Sequence, residues 1–202
     1  MYIPKHFEQQ DPRTLWDFID EHAFGTLLTV ADGRPTLSHL PFLPDRDAGV
    51  LHCHVARANP QWQEIVRSPQ VVAIFAGPHG YVSPTWYVER GGVPTWNYAV
   101  VHAHGEAVTV DDAERTRKHV EALAAKYERN RSVPWVPDYD VRRLGGIVGI
   151  GIRVARLEGK FKLSQNRSAA DRDAVIAQLT ASGRDEDAAL ARLMTAAAAP
   201  QS

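Results

Sequence analysis

The segment HVARANPQW, at residues 54–62, contains residue types that bind a phosphate group. Arg57 precedes Asn59 and Pro60, which are typical of a helix start because Asn caps the first turn and Pro fits its first position. The free N–H groups and the positive dipole end at such a start favour an anion. The segment therefore predicts a phosphate site, although the same residues could simply cap a surface helix with Arg57 in solvent. No glycine-rich dinucleotide or Walker loop occurs in the sequence, which favours a mononucleotide.

A second stretch, PTWYVERGGVPTWNY at residues 84–98, repeats Pro-Thr-Trp on both sides of a Gly-Gly turn. Aromatic residues are enriched in strands and cores, so a hairpin whose rings fill the core is one interpretation. The other is a cleft wall for a flat ligand, built from Trp86, Trp96, Asn97 and Tyr98. His79, in a Pro-His-Gly turn, is the best candidate for an imidazole that contacts a substrate, because loops on a rigid scaffold often carry function.

Two histidine pairs alternate along predicted strands, His52 with His54 and His102 with His104. Each pair projects to one face of its strand, so four imidazoles could in principle gather a divalent metal. No carboxylate or thiolate falls at a metal-site spacing, and Cys53 points to the opposite face from its neighbours. We therefore expect no metal site. We expect instead that one member of a pair is buried and hydrogen-bonded while another faces a ligand cleft.

The elements that must position these residues are mostly strands. Asp11 and Pro12 predict a helix start, and FGTLLTV joined to PTLSHLPF by ADGR predicts a β-hairpin with an Asp-Gly turn. Residues 93–110 alternate well enough to form one long strand, and Asp111 with Glu114 predicts a capping-box start for the next helix. About six strands with few helices between them favour an α+β, mainly antiparallel barrel with peripheral helices. We expect one domain over residues 1–202, with a helical C-terminal segment from about residue 168 and an Ala-rich end that frays.

Composition limits the classes of protein. The 202 residues are 44% hydrophobic and 23% charged, as in an ordinary globular chain. A single cysteine, Cys53, excludes an intramolecular disulfide framework, and neither a signal peptide nor an apolar run of about 20 residues is present, so we expect a cytoplasmic protein with no membrane partner. The net charge of −1 provides no basic field for nucleic acid.

Five ordered motifs carry a resemblance to a known family. They are SHLPF at residues 38–42, ARANPQW at 56–62, GPHGYVSPTWY at 77–87, VPTWNYAVVHAHG at 93–105 and KFKLSQNR at 160–167. Together they resemble the PaiB family, whose members are described as FMN-binding negative transcriptional regulators, over nearly the whole chain. That family is similar in fold to the pyridoxamine phosphate oxidases and other flavin-binding split barrels. Those proteins are dimers with FMN at the subunit interface, so the resemblance implies a split β-barrel homodimer that binds FMN.

The resemblance also implies roles for matching positions. One set would run along the flavin and hold its phosphate: Ser38, His39, Leu40, Arg57, Ala58, Asn59, Gln61 and Trp62. A late set would approach the cofactor, from the same or the partner subunit: Lys160, Lys162, Ser164, Gln165 and Asn166. The oxidases carry an Arg-Lys pair in the phosphate segment, whereas this chain has Arg57-Ala58, so Lys160 or Lys162 and backbone amides would take more of the phosphate load.

Three functions remain open at this point. The first is a flavin-dependent regulator, the second an FMN-dependent oxidoreductase acting on a small aromatic or heteroaromatic molecule, and the third a haem-binding or haem-degrading split barrel with His79 as a possible ligand. An oxidoreductase would need no catalytic triad, because the hydride chemistry belongs to the flavin. Direct DNA binding is not favoured, because the sequence has no helix-turn-helix pattern and no basic stripe.

Overall fold

The structure, a computed structural model, describes residues 1–198. Five α-helices and eight β-strands follow one another along the chain. The helices are α1 (Pro12–Glu21), α2 (Gln61–Arg67), α3 (Ala113–Glu128), α4 (Ala169–Ala181) and α5 (Asp185–Ala198). The strands are β1 (Glu8–Gln9), β2 (Phe24–Ala31), β3 (Arg34–Pro41), β4 (Leu43–Asp45), β5 (Val50–Ala56), β6 (Gln70–Val82), β7 (Thr95–Val110) and β8 (Ile147–Lys162). The last four residues of the Ala-rich end, for which fraying is predicted, lie outside the described part.

The strands form a single sheet in the order β3-β2-β6-β7-β8-β5-β4, with β1 paired to β8. The pairs β2–β3, β2–β6, β4–β5, β5–β8 and β1–β8 are all antiparallel. The predicted fold class, α+β and mainly antiparallel, is confirmed.

The chain divides into two compact units. One contains residues 1–15, 76–101 and 158–198, and the other contains residues 16–75 and 102–157. In the first unit, α4 and α5 bury Val175, Leu179 and Leu190 completely. In the second, the wholly buried side chains include Leu27 and Phe42. Each unit therefore has buried apolar side chains of its own.

The hairpin of β2 and β3 forms where the Asp-Gly pair predicts it. Asp32 and Gly33 have φ angles of 52° and 71°, the left-handed pair that a type I′ turn requires. The turn fixes the register, which places Leu27 opposite Ser38 and Thr26 opposite His39. The hairpin therefore presents Ser38 and His39 at defined positions.

Helix α2 is fastened to this hairpin by a buried amide. The Gln61 side chain is fully buried, and its Nε2 donates to the carbonyl oxygens of Leu27 and Thr36, both at 3.1 Å. Glu64, one turn later, accepts hydrogen bonds from the hydroxyls of Thr29 and Thr36 at 2.7 and 2.9 Å. Because these bonds join α2 to both strands, the helix start and β3 are held as one piece.

Two local expectations are wrong. Residues 84–86 form a 3₁₀ turn capped by the Ser83 hydroxyl, so the first Pro-Thr-Trp is a turn and only the second begins a strand. Pro84 at the start of the turn and Pro94 in the following loop lack the N–H that a strand ladder needs, and Gly91 and Gly92 between them disfavour a strand. The cap of α3 is Asp112, whose carboxylate accepts from the Arg115 N–H at 2.8 Å, and not Asp111. The carboxylate of Asp111 instead binds the guanidinium of Arg57.

Replacing Gln61 with Leu should destabilise the protein, because two buried carbonyl groups lose their donor. We expect the free energy of unfolding to fall by about 2–3 kcal/mol, measured by urea denaturation. Gln63→Leu, at an exposed position of the same helix, is the matched control and should change little. Equal stability of the two variants would show that the buried amide does not hold α2 to the hairpin.

Candidate functional site

The guanidinium of Arg57 lies at the centre of a hydrogen-bond network at the end of β5. Its Nε donates to the carbonyl of Gly145 at 2.6 Å, and Nη2 donates to the carbonyl of Ile147 at 3.1 Å. Nη1 and Nη2 donate hydrogen bonds to the two carboxylate oxygens of Asp111, at 3.2 and 2.5 Å. The hydrogen bonds from Arg57 hold the pKa of Asp111 below its usual range. Arg57 therefore already carries an anionic partner, although its side chain is 39% exposed.

The other predicted phosphate-site residues lie around the start of α2. Asn59 Nδ2 donates to the Ser38 hydroxyl at 3.0 Å, and Asn59 Oδ1 accepts from the N–H of Gln61 at 3.0 Å. Trp62 Nε1 donates to the carbonyl of Arg57 at 3.0 Å. The sequence predicts Asn59 as the cap residue of α2, but the cap residue is Pro60, and Asn59 connects β3 to the helix start through these two bonds. The structure brings this set together within one unit.

Three more of the residues predicted to hold the flavin differ in their exposure to solvent. Ala58 and His39 are exposed, and Leu40 is half-buried. His39 Nδ1 shares a hydrogen bond of 2.9 Å with the hydroxyl of Thr26. Their exposure leaves the outer face of β3 open to a ligand.

The late set lies in the other unit, around the end of β8. Lys162 Nζ donates to the Thr95 hydroxyl at 2.6 Å, and Lys160 Nζ lies 5.4 Å from the centre of the Tyr98 ring. Burial lowers the pKa of Lys162, and the charges of Lys160 and Arg167 lower it further. Among the described residues, neither lysine has a carboxylate partner. Glu8 of β1 lies opposite Lys160 in the sheet, so part of the positive charge at the end of β8 is balanced across the strand pair.

Ser164 and Gln165, which follow these lysines, form hydrogen bonds with nearby residues of the protein. Ser164 is buried at a φ of 64°, and its hydroxyl exchanges hydrogen bonds with the side chain of Asn97, which is fully buried. Gln165 accepts from the Leu163 N–H at 2.7 Å, and Asn166 is exposed. A buried Asn97 supports the turn from below. It does not line a cleft surface in this structure.

An aromatic cluster stands exposed in the same unit. The indole of Trp96 is 54% exposed, with the rings of His79 and Tyr81 each centred 6.2 Å away. His79 Nδ1 lies 3.1 Å from a carboxylate oxygen of Glu186. Trp86 and Tyr98 are half-buried. Of the two interpretations of this stretch, the exposed rings support a ligand-facing wall more than a filled core.

Sequence reasoning missed a histidine cluster that includes His119 of α3. His54 Nδ1 and His119 Nε2 are 3.1 Å apart, and the rings of His52 and His119 are centred 6.3 Å apart. Burial, with the nearby His54 and His52, lowers the pKa of His119 to about 4. Burial also lowers the pKa values of His52 and His54. The signal available in the sequence was the position of His119 on the same helix face as buried Thr116 and Leu123.

The comparison with family models identifies the chain. Residues 1–156 match the family described as "Putative FMN-binding domain". The chain belongs to this family. It is 38% identical to the protease synthase and sporulation protein PAI 2 of Bacillus subtilis, over 89% of each chain. It is also 33% identical to an uncharacterized protein of Emericella nidulans, over 96% of each chain.

Solved structures confirm the fold of the FMN-binding split barrels. The FAD and heme binding protein of Mycobacterium smegmatis superposes with a TM-score of 0.65 at 15% identity, covering 83% of this chain and 79% of that one. The flavocytochrome Anf3 of Azotobacter vinelandii gives a TM-score of 0.64 at 11% identity, covering 79% and 72%. At these identities the likeness concerns the fold alone.

The neutral histidine cluster predicts a loss of stability in mild acid. An unfolded chain takes up protons on these rings near pH 6.5, whereas the folded His119 takes one up only near pH 4. Stability is therefore complete above about pH 6.5 and falls as the pH is lowered towards 4. His119→Gln should remove part of this dependence, about 2 kcal/mol in a ring that is partly exposed, as measured by denaturation at several pH values.

The matched control for this measurement is His6→Gln, because His6 lies exposed near the N-terminus. Identical pH dependence in the His119→Gln protein and the original would contradict the assignment of a neutral buried imidazole.

Proposed function

We propose that this protein is a flavin-dependent negative regulator of transcription, which binds FMN at the start of α2 and acts through the bound flavin or a partner. The observation that carries the proposal is the anion-binding arrangement of Arg57, beside the Asn59–Ser38 bond that joins the helix start to β3. The Bacillus subtilis relative is named a protease synthase and sporulation protein, which is compatible with a regulatory role. The single buried cysteine, Cys53, supports a cytoplasmic location.

The residues at this site fit a flavin mononucleotide. Asp111 binds Arg57 through both of its oxygens, which is the two-point geometry that a phosphate also accepts from a guanidinium. A phosphate could therefore replace this carboxylate on the exposed side of Arg57. Bound FMN would supply hydride or electron transfer, while Ser38, Asn59 and Arg57 would hold and orient it.

An FMN-dependent oxidoreductase is the second candidate, favoured by the exposed aromatic cluster. Trp96, Tyr81 and His79 offer a flat face and one imidazole, and Glu186 holds that imidazole in place. Such a face suits an aromatic or heteroaromatic molecule, because offset and edge-to-face contacts between rings are favourable. Turnover of such a molecule by the FMN-loaded protein, with a loss of activity in Trp96→Ala, would favour this candidate.

Substitutions of Arg57 and of Asp111 should change the affinity for FMN in opposite directions. Arg57→Ala should weaken FMN binding by about 10- to 100-fold, because a charged hydrogen-bond donor to the phosphate is lost. Asp111→Asn should tighten FMN binding, because the guanidinium no longer has a competing carboxylate. Dissociation constants from flavin fluorescence quenching measure both effects.

Arg67→Ala is the matched control, since Arg67 is an exposed arginine at the far end of α2. Equal FMN affinities for Arg57→Ala and Arg67→Ala would rule out the proposed phosphate site. The same variants test regulation in cells: transcripts repressed by the original protein should rise with Arg57→Ala and stay low with Arg67→Ala.

The proposal includes a homodimer whose partner subunit completes the cofactor site. Its support is the position of Lys160 and Lys162 at the end of β8, where neither forms an ion pair among the described residues, together with the dimers implied by the family resemblance. Light scattering of the FMN-loaded protein should give about twice the chain mass of 22.4 kDa. A monomer that keeps its full FMN affinity would contradict this part of the proposal.

Regulation through direct binding to DNA is not expected. Six to ten phosphate contacts are usual for a specific binder, and they lower affinity by roughly 10³–10⁵ between 50 and 200 mM salt. The chain has a net charge of −1. Binding to its own promoter duplex should be no tighter than the non-specific range of about 10⁻⁴–10⁻⁶ M, measured by fluorescence anisotropy across salt concentrations with and without FMN. A sequence-selective complex near 10⁻⁸ M would contradict this expectation.

A further inference from the structure

A cavity of about 630 Å³ opens under helix α3, within the unit that contains residues 16–75 and 102–157. Its walls come from β4 and the turn after it, from the middle of β5, from the end of β7, from the start of β8 and from the first two turns of α3. None of the residues predicted to hold the flavin lines it. Its volume falls in the range of small-molecule sites, about 300–1,000 Å³.

Part of the cavity wall is apolar and shaped by a glycine. Leu43 and Val110 line it from two different strands, and Gly149 and the buried Ile150 lie beside them. A Cβ atom at Gly149 would approach the carbonyl oxygen of Val110 to 3.2 Å, so a side chain there would require Val110 to shift by a few tenths of an ångström. These residues form a surface suited to a flat or compact apolar group.

The imidazole of His119 forms part of the cavity wall. Its Nε2 is engaged with His54, and its Nδ1 is itself buried, so a ligand meets the ring and not a free nitrogen. The Cys53 thiol is buried on the other face of β5, and burial raises its pKa, so it stays protonated and covalent attachment is not expected.

The cations on α3 offer a place for one carboxylate of the ligand. Arg115 lines the cavity and has no carboxylate partner among the described residues, and Lys118 Nζ lies 3.6 Å from Glu114, its neighbour on α3. The third cation of the lining, Arg46, is paired with Asp17 outside it. Asp45 and Asp47 line the cavity from β4 and the turn after it, and they repel an anion on that side. A carboxylate is therefore expected only against α3, and a second negative charge, as on a phosphate monoester, would add repulsion.

We propose that this cavity is a second small-molecule site, distinct from the flavin site, that binds an aromatic or compact apolar carboxylate. The carboxylate lies against Arg115 and Lys118, and the apolar body packs on Leu43, Val110 and the ring of His119. The site could give a flavin-dependent regulator its metabolite signal, but its existence does not depend on FMN binding.

Isothermal titration calorimetry on the FMN-loaded protein at pH 7.5 tests this with three probes of matched shape. They are 1-naphthoate, naphthalene-1-carboxamide and protonated 1-naphthylmethylamine. The anion should bind with a dissociation constant below about 1 mM, in line with the binding energy available to a ligand of this size. The amide should bind about tenfold more weakly or worse, since it lacks the charge that Arg115 recognises. The ammonium probe should not bind.

Variants locate the binding. Arg115→Gln should weaken 1-naphthoate binding by about tenfold or more, whereas Arg129→Gln, which removes the same charge just beyond the other end of α3, should leave it unchanged. Leu43→Trp should abolish binding by filling the cavity, and its circular dichroism spectrum should match that of the original protein. Flavin content should be the same in all of them.

Several outcomes would overturn the proposal. These are absence of saturable 1-naphthoate binding, equal affinity for the acid and its amide, preference for the ammonium probe, equal effects of the two arginine substitutions, and displacement of 1-naphthoate by added FMN. Failure of FMN to bind would instead count against the flavin proposal alone, because 1-naphthoate binding to the cavity should persist in flavin-free protein.

Discussion

The buried amide of Gln61 is the constraint on which the flavin-site geometry depends. It lies under the start of α2 and satisfies carbonyl groups of both hairpin strands, so the helix start cannot move without leaving buried groups unpaired. Because Gln61 fixes the position of the helix start relative to β3, Asn59 can donate a hydrogen bond to the Ser38 hydroxyl. A ligand that contacts β3 and the helix start therefore meets a preorganised surface, and little of its binding energy is spent on ordering the protein.

The ion pair of Arg57 with Asp111 is the interaction at this surface that a ligand can replace. Its bonds to the carbonyl oxygens of Gly145 and Ile147 tie it to the start of β8, while its bonds to Asp111 tie it to the segment before α3. The carbonyl bonds are satisfied whether or not a ligand is present. Only the carboxylate competes with a phosphate, so Asp111 sets how strongly Arg57 can hold one. In the proposed phosphate site no second cation follows Arg57, and backbone carbonyl groups position the one cation that is present.

Local signals in the sequence were enough to predict much of the fold. The Asp32-Gly33 turn, the helix start at Asp11 and the long strand that ends at Val110 each depend on residues close together in the chain. Errors arose where a distant partner decided the outcome. Asp111 looks like a helix cap in sequence, but Arg57, 54 positions away, takes its carboxylate and leaves the cap to Asp112. His119 shows the same limit, because its partner His54 lies 65 positions away and no short motif joins them.

The central claim is that this chain holds FMN rather than another flavin or a haem. The most direct measurement is the absorption spectrum of freshly purified protein, followed by chromatography of the cofactor released on denaturation. We predict flavin bands and release of FMN, since one anion site with no dinucleotide loop suits a single phosphate. A Soret band, or release of FAD from a protein that has no affinity for added FMN, would contradict the claim.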